Sequence, residues 1–418
     1  MNHESYLVRR TQLMDSLEPN SIVVLFAGQA PQKSADEYYD FVPNKNFYYL
    51  TGIERDKMIV MLQKFNNRIE TLVFIEKPNP VSEKWVGKVM STEEIQTCSG
   101  IQDVYDLGEF TGKFHKAATD CSVDCLYLDL ESRGWEAPFT NARNFAKEVS
   151  EKYPYLTVRN IFHMISDARV IKTEDEIACI RKAIETTAKG VVSLMQHAKA
   201  GMWEYELEAY FDFVLKMEGI QEHAFHTIAA SGKNATVLHY SANNCSIPED
   251  SLILFDLGAK VEHYSADITR TFPVSGRFTE RQKELYSIVL QAQKDTIKAI
   301  KPGAAMKSLN LATRKSLSQS CKKIGLIHED TELSRYYFHG VSHFLGLDTH
   351  DVGNTDCDLR AGMILTVEPG LYIEEENIGI RIEDNVLITE DGCTLLSSFI
   401  PKEIEEIEAF MQKGSLKC

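Results

Sequence analysis

The chain has 418 residues, 44% hydrophobic and 25% charged, which is enough apolar material for two or three ordinary domains and excludes a disordered or fibrous protein. Its formal charge of −16 argues against a phosphate backbone or an anionic membrane surface as the main partner, so neither nucleic acid nor membrane is expected. No apolar run approaches the roughly 18 residues of a transmembrane helix, and Met1-Asn2-His3-Glu4-Ser5 starts no basic-then-apolar leader, so the expected location is cytoplasmic.

The N-terminal third reads as strands with a few helices: a helix over Leu7 to Leu17, a short apolar strand Ser21 to Phe26, and strands Met58 to Leu62 and Thr71 to Ile75 flanking an Asn66-Asn67 turn. Within it, Tyr38, Tyr39, Phe41, Phe47, Tyr48 and Tyr49 form an aromatic cluster expected to serve core packing. Thr173-x-x-Glu176 is a capping box opening a long helix with Ile177, Ile180, Ile184, Ala188 and Val191 at helical spacing, so the domain boundary is set near residue 165: 1–165, then 166–418. A helix from about Glu204 to Met217 ends at Gly219, a strand-rich stretch runs from Thr227 to Phe272, and Thr279-x-x-Gln282 caps another long helix. A helix over about Met306 to Lys323, short strands and a final helix from about Lys402 follow, with Lys402 to Glu408 expected as a solvated face. Helices followed by a carboxylate-bearing strand pair occur twice, around 251–272 and 363–389. Nine cysteines, an odd number without a C-x-x-C pair, read as reduced structural thiols.

The two strand pairs carry the chemistry. In the first, a turn at Lys260 to Glu262 would set Asp256 directly opposite Asp267, with Cβ atoms about 4.5–5.5 Å apart. Two buried like charges repel, and a cation between them removes the repulsion. In the second, a turn at Glu374 to Asn377 would set Glu368 opposite Glu383, although Pro369 removes a ladder hydrogen bond and allows a bulge. Between the pairs lie His339, His343 and His350. If His343 joins the four carboxylates around two divalent ions, the charges cancel, and a water between two such cations is readily deprotonated. One imidazole among carboxylate oxygens suits manganese, with zinc, cobalt or iron as substitutes.

The stretches FDLGAKVEHYSADITRTFPVSGRFT, HGVSHFLGLDTHDVG, LTVEPGLYI and GIRIEDNVLIT resemble the five-ligand signature of the pita-bread metallopeptidases. ASGKNATVLHYSANN, RVIKTEDEIACIRKA and EYYDFVPNKNFYYLTG extend the similarity to bacterial-type aminopeptidase P over nearly the whole chain. The resemblance implies an N-terminal α/β domain followed by a C-terminal pita-bread catalytic domain of α+β type with a pseudo-two-fold. It also implies two divalent metal ions, manganese above others, with Asp256 on one metal, Asp267 and Glu383 bridging both, and His343 and Glu368 on the other. On the same grounds Glu368 is the general base, His350 steadies the oxyanion, His339 contacts the peptide near proline, His239 is a third histidine beside the substrate, and Arg381 supports a ligand carboxylate. The activity implied is attack by a metal-bridging hydroxide that releases the first residue of a peptide with proline in second position, in a homodimer or homotetramer.

Two rivals accompany this reading. A prolidase applies the same chemistry to Xaa-Pro dipeptides. A metal-free pita-bread hydrolase or binding protein would lack the ligands, all five of which are present here. A nucleotide-binding enzyme is disfavoured, since neither G-x-x-x-x-G-K-[ST] nor G-x-G-x-x-G occurs.

Overall fold

The computed structural model describes residues 2–65, 68–77, 79–81, 83–120, 123–132 and 134–414. The chain divides into two compact units, Met1–Arg169 and Val170–Cys418.

In the first unit six strands, β1 (Ser21–Phe26), β2 (Ile59–Phe65), β3 (Arg68–Ile75), β4 (Asp103–Asp106), β5 (Cys125–Leu128) and β6 (Thr157–Asn160), form one mixed sheet in the order β4-β3-β2-β1-β5-β6. Strands β2 and β3 pair antiparallel up to Phe65↔Arg68, as the sequence led us to expect. The Asn66-Asn67 turn itself lies outside the described residues. The helices are α1 (His3–Ser16), α2 (Lys45–Thr51), α3 (Glu83–Val86), α4 (Thr92–Ser99), α5 (Phe110–Asp120), α6 (Asn141–Lys152) and α7 (Phe162–Val170). Phe26, Phe74, Phe110, Phe114 and Phe145 pack as edge-on or tilted rings on one face of the sheet. Arg10 of α1, fully buried, gives its guanidinium to Leu50 O and Ser99 O, carbonyls left free at the ends of α2 and α4. The aromatic cluster divides: Phe47, Tyr48 and Tyr49 are buried in α2, whereas Tyr38 and Tyr39 are exposed because the 29–44 segment forms no helix or strand to bury them.

The second unit is built twice over. The helix pair α8 (Glu174–His197) and α9 (Glu204–Met217) precedes a three-stranded sheet of β7 (Ile228–Ser231), β8 (Leu252–Leu257) and β11 (Ile268–Pro273), with β8 in the middle. The short strands β9 (Lys260–Val261) and β10 (Tyr264–Ser265) continue the β8–β11 hairpin to its turn. The pair α10 (Glu280–Ala299) and α11 (Lys307–Lys323) precedes β12 (Ile364–Val367), β15 (Asp384–Ile388) and β16 (Cys393–Leu395), with β15 in the middle. Here β13 (Gly370–Ile373) and β14 (Ile378–Arg381) complete the hairpin, and α12 (Ile404–Gly414) ends the described chain. This is the mixed pita-bread architecture expected from the sequence. Both predicted capping boxes form: Thr173 N–H donates to Glu176, and Thr279 N–H to Gln282.

The register of the first hairpin corrects the sequence reading. Asp256 pairs with Thr269, not Asp267. The turn falls on Glu262 and His263, both with left-handed φ (50° and 63°), as a two-residue type I′ connection requires. Neither is the Asn or Gly that usually advertises such a turn, so it was expected at Lys260 to Glu262. The register therefore slips by two residues. A slip of two preserves the face, and Asp267 becomes a diagonal neighbour of Asp256. The second hairpin turns at Glu374–Glu376 with Asn377 left-handed, and its pairings Val367↔Asp384 and Gly370↔Arg381 bracket Glu368 and Glu383 at the opposed positions expected.

A second correction concerns Lys402. It is no part of a solvated face: its ammonium sits 2.6 Å from Asp384, a wholly buried carboxylate also held by Arg270 at 2.7 Å. The seven cysteines among the described residues are all free.

Candidate metal centre

The ladder of the second hairpin is interrupted where the carboxylates stand. Glu368 N–H bonds Val341 O and Glu383 N–H bonds Thr269 O, instead of each other's strand. Val341 lies two residues before His343, and Thr269 two after Asp267, so the break that Pro369 imposes stitches together the segments bearing the other candidates. Two further clasps complete the frame. Thr366 N–H bonds His343 O while His343 N–H bonds Thr366 Oγ1, and Asn385 both accepts from Asp267 N–H and donates to Asp267 O.

His343 Nδ1 lies 2.9 Å from Phe344 O. A carbonyl can only accept, so Nδ1 carries a proton and Nε2 is the nitrogen turned to the carboxylates, 3.3 Å from Asp267 and 3.6 Å from Glu368. Asp267, His343 and Glu383 each present a ligand atom within 4.8 Å of the others. Burial is the first reason that the carboxyls of Asp267 and Glu383 are held well above the usual carboxylate range; the charges of Asp256 and Glu368 add to it at Asp267, and those of Asp267, Glu368 and Asp256 at Glu383. Burial likewise pushes Glu368 up to about 7. Asp256 Oδ1, Asp267 Oδ1 and Glu383 Oε1 are buried oxygens without a hydrogen-bond partner. Buried carboxylate oxygens left unsatisfied in this way are costly, and a set of hard oxygen donors with one imidazole is what divalent cations bind. The residues therefore fit a metal centre.

Arg381 anchors one side. Its Nη2 donates to Asp256 Oδ2 at 2.7 Å, Nε to Thr269 Oγ1 at 3.0 Å, and Nη1 to Tyr372 OH at 3.1 Å. Thr269 Oγ1 in turn donates to Glu383 Oε2 at 2.7 Å. Burial opposes the charge on Arg381, but Tyr372, Asp256, Glu383 and Glu368 outweigh it, and the guanidinium is held firmly protonated.

The histidines are less alike than their sequence suggests. His339 Nδ1 donates to Gly340 O at 2.7 Å, which leaves Nε2 to accept from Tyr372 OH at 2.8 Å. Burial pushes its pKa down to about 4, so it is a neutral ring with a fixed tautomer. His350 lies edge-on to His343, ring centres 4.3 Å apart, and its pKa is lowered by burial and then by His343 and His239. His239 has an exposed side chain whose charge acts on both His339 and His350. Asp267, His343 and Glu383 thus meet in one place, with Glu368 beside His343, Asp256 held through Arg381, and His339 joined to Arg381 through Tyr372. Sequence reasoning did not single out Thr269, Tyr372 and Asn385. Thr269 had a signal, since two residues after Asp267 on a strand is the same face. The Lys172–Asp351 ion pair, 2.9 Å and buried on both sides beside His350, had none, because 179 residues separate the partners.

Comparison with known proteins agrees with this geometry. Residues 178–390 match Metallopeptidase family M24, and residues 6–127 match the aminopeptidase P N-terminal domain. The Xaa-Pro aminopeptidase of Haemophilus influenzae is 32% identical over 98% of this chain and 97% of its own length. A structure assigned as an aminopeptidase P from Bacillus anthracis is 52% identical with a TM-score of 0.98, covering 99% of each chain. Escherichia coli aminopeptidase P with the inhibitor Pro-Leu is 29% identical with a TM-score of 0.93, covering 100% of each chain. With the ligand-like cluster of Asp267, His343 and Glu383 set on the pita-bread frame, the chain belongs to metallopeptidase family M24 and is a metallopeptidase of the aminopeptidase P type.

Proposed function

We propose that this metallopeptidase releases the N-terminal residue from peptides with proline in second position. One observation carries the reading: the His343 imidazole and the buried carboxylates of Asp267 and Glu383 converge within 4.8 Å at the junction of two hairpins, each carboxylate with a partnerless oxygen. Asp256, Asp267, His343, Glu368 and Glu383 would hold two divalent ions, manganese by the hardness of the donor set. Bound there, the ions supply Lewis acidity and a water that is nucleophilic at neutral pH.

The side chains supply the rest. Glu368, whose carboxyl ionises near neutrality by itself, takes the proton released on attack and passes it toward the prolyl nitrogen. His350 offers a hydrogen bond to the oxyanion of the tetrahedral intermediate, and His239 stands beside it over the substrate. His339, neutral and locked between Gly340 and Tyr372, presents a rigid ring edge to the peptide near proline. Arg381 holds Asp256 in its orientation by a hydrogen bond at 2.7 Å. We place these residues in a catalytic domain of 166–418, with 1–165 as the aminopeptidase P-type N-terminal domain. The name of the Haemophilus relative and the Pro-Leu ligand of the E. coli protein support the substrate class. No helix among the described residues is long and apolar enough to cross a membrane, which is compatible with the proposed cytoplasmic location. The proposed homodimer or homotetramer is checked by light scattering.

Manganese-loaded protein tested on matched peptides decides the specificity. An Xaa-Pro-Zaa tripeptide should be cleaved after its first residue with kcat/KM at least about tenfold above that for Xaa-Pro. Faster hydrolysis of the dipeptide, with longer peptides rejected, would transfer the protein to the prolidases.

A further inference from the structure

Glu204, the first residue of α9, is wholly buried. Its carboxylate accepts five hydrogen bonds, all from neutral donors. Oε1 takes Ser231 N–H at 2.8 Å, Ser231 Oγ at 2.8 Å and Asn234 Nδ2 at 2.9 Å. Oε2 takes Tyr240 OH at 2.8 Å and Cys245 N–H at 3.0 Å. These donors mark the entry, the interior and the exit of a single loop, residues 231–245, which folds back on itself around the carboxylate. The main chain of Glu204 joins in, its N–H bonding Cys245 O.

The loop is fixed elsewhere as well: Asn243 Nδ2 donates to Glu208 Oε2 and Thr227 O while its Oδ1 accepts from Ala229 N–H, and His226 Nε2 lies 2.9 Å from Ser241 O. Gly379 of β14 lies so close that a Cβ there would stand 1.9 Å from Ala235 O. Gly379 is two residues from Arg381, so the loop is pressed against the frame of the metal centre at Ala235 and clasped by Glu204 at Ser231, Asn234, Tyr240 and Cys245. His239 rides between, beside Tyr240. Nothing in the proposed chemistry uses Glu204, yet a buried carboxylate saturated by five donors is an expensive way to close a surface loop.

We infer that Glu204 is a positioning residue: through Tyr240 it holds the 231–245 loop so that His239 stands over the substrate. The inference deepens the function proposed above and rests on the role given there to His239. A carboxylate is required because donors face both oxygens. In Glu204→Gln the amide NH2 must point at one of the two donor sets, whichever way it is turned. Tyr240→Phe is the gentler change, removing one of the five bonds to Glu204 together with longer contacts to Asn244 and Cys245. Burial and the Glu204 hydrogen bond keep the Tyr240 phenol protonated, so it remains the donor across the working pH range.

The test is a pair of double-mutant cycles on manganese-loaded protein with an Xaa-Pro-Zaa peptide, measuring kcat, KM and metal content. Tyr240→Phe and Glu204→Gln should each lower kcat/KM by about fivefold or more with metal content unchanged. In the His239→Ala background the same substitutions should cost less than about twofold, because the group they position is gone. Equal losses in both backgrounds, or no loss from Tyr240→Phe in the otherwise unchanged protein, would overturn the inference. A His239→Ala variant as active as the parent would instead bring down the role assigned to His239, and is visible in that variant alone. If Glu204→Gln does not fold, the Tyr240→Phe cycle decides.

Discussion

At the scale of single residues, the centre is a set of carboxylates whose cost is offset only in company. Asp267 and Glu383 are both buried, both raised in pKa, and both carry a partnerless oxygen, whereas Asp256 has the Arg381 guanidinium on its second oxygen. The family resemblance implies that the first two would be common to both ions. Asp267→Ala should therefore lose both metals, while Asp256→Ala should retain one, as metal analysis of the purified variants would show. An Asp267→Ala protein with two tightly bound ions and normal turnover would refute the bridging assignment. The histidines divide in the same manner. His350→Ala should keep its metals and lose on the order of 10²–10³ in kcat, the usual cost of one oxyanion donor. His339, a neutral ring already committed on both nitrogens, should show more of its loss in KM.

At the scale of elements, the two hairpins solve one problem differently. The second sets Glu368 against Glu383 by a symmetrical register broken at Pro369, and the first sets Asp256 and Asp267 diagonally on one face after a tight I′ turn. Close approach of backbones then fixes where the 231–245 loop can lie. Gly379→Ala places a methyl group 1.9 Å from a main-chain oxygen and should cost about 2–3 kcal/mol, measured by urea unfolding, with reduced activity because the loop bearing His239 must move. Gly392→Ala, with nothing within 4 Å of the added carbon, should stay within about 0.5 kcal/mol of the parent. Comparable losses from the two would show that the close contact at Gly379 is not what matters.

At the scale of the whole molecule, the site acts against stability unless it is filled. The folded pKa of Glu368, about 7, exceeds its unfolded value of 4.5. Its contribution to metal-free stability is therefore fully present below the unfolded value and is lost as pH rises through about 7. Discounted for the 17% of the side chain that reaches solvent, the loss is on the order of 2–3 kcal/mol, and Asp267 and Glu383 act in the same direction. Metal-free protein should thus melt at a progressively lower temperature from pH 5 to pH 8. Manganese should restore the most stability at the high end, where fewer protons must be displaced. A melting temperature of the metal-free protein that rises over this range would contradict the burial argument.

The sequence by itself determined the two-part division of the chain, the long capped helices of the second part, the repeated helix-pair and hairpin, and the residue types of the centre. Those follow from local rules: capping boxes, helical spacing, alternation along strands, and the cost of burying like charges. It also led to the opposition of Glu368 and Glu383, because the turn between them carries recognisable polar residues. Tertiary structure alone decided the rest. The Glu262-His263 turn has left-handed backbone at residues that do not advertise it, so the first register could not be read. Glu204, Tyr372 and the Lys172–Asp351 pair acquire their meaning only from partners 9 to 179 residues away. Such pairings leave no periodicity in the chain, since a buried polar group is specified by what surrounds it after folding and not by its neighbours in sequence.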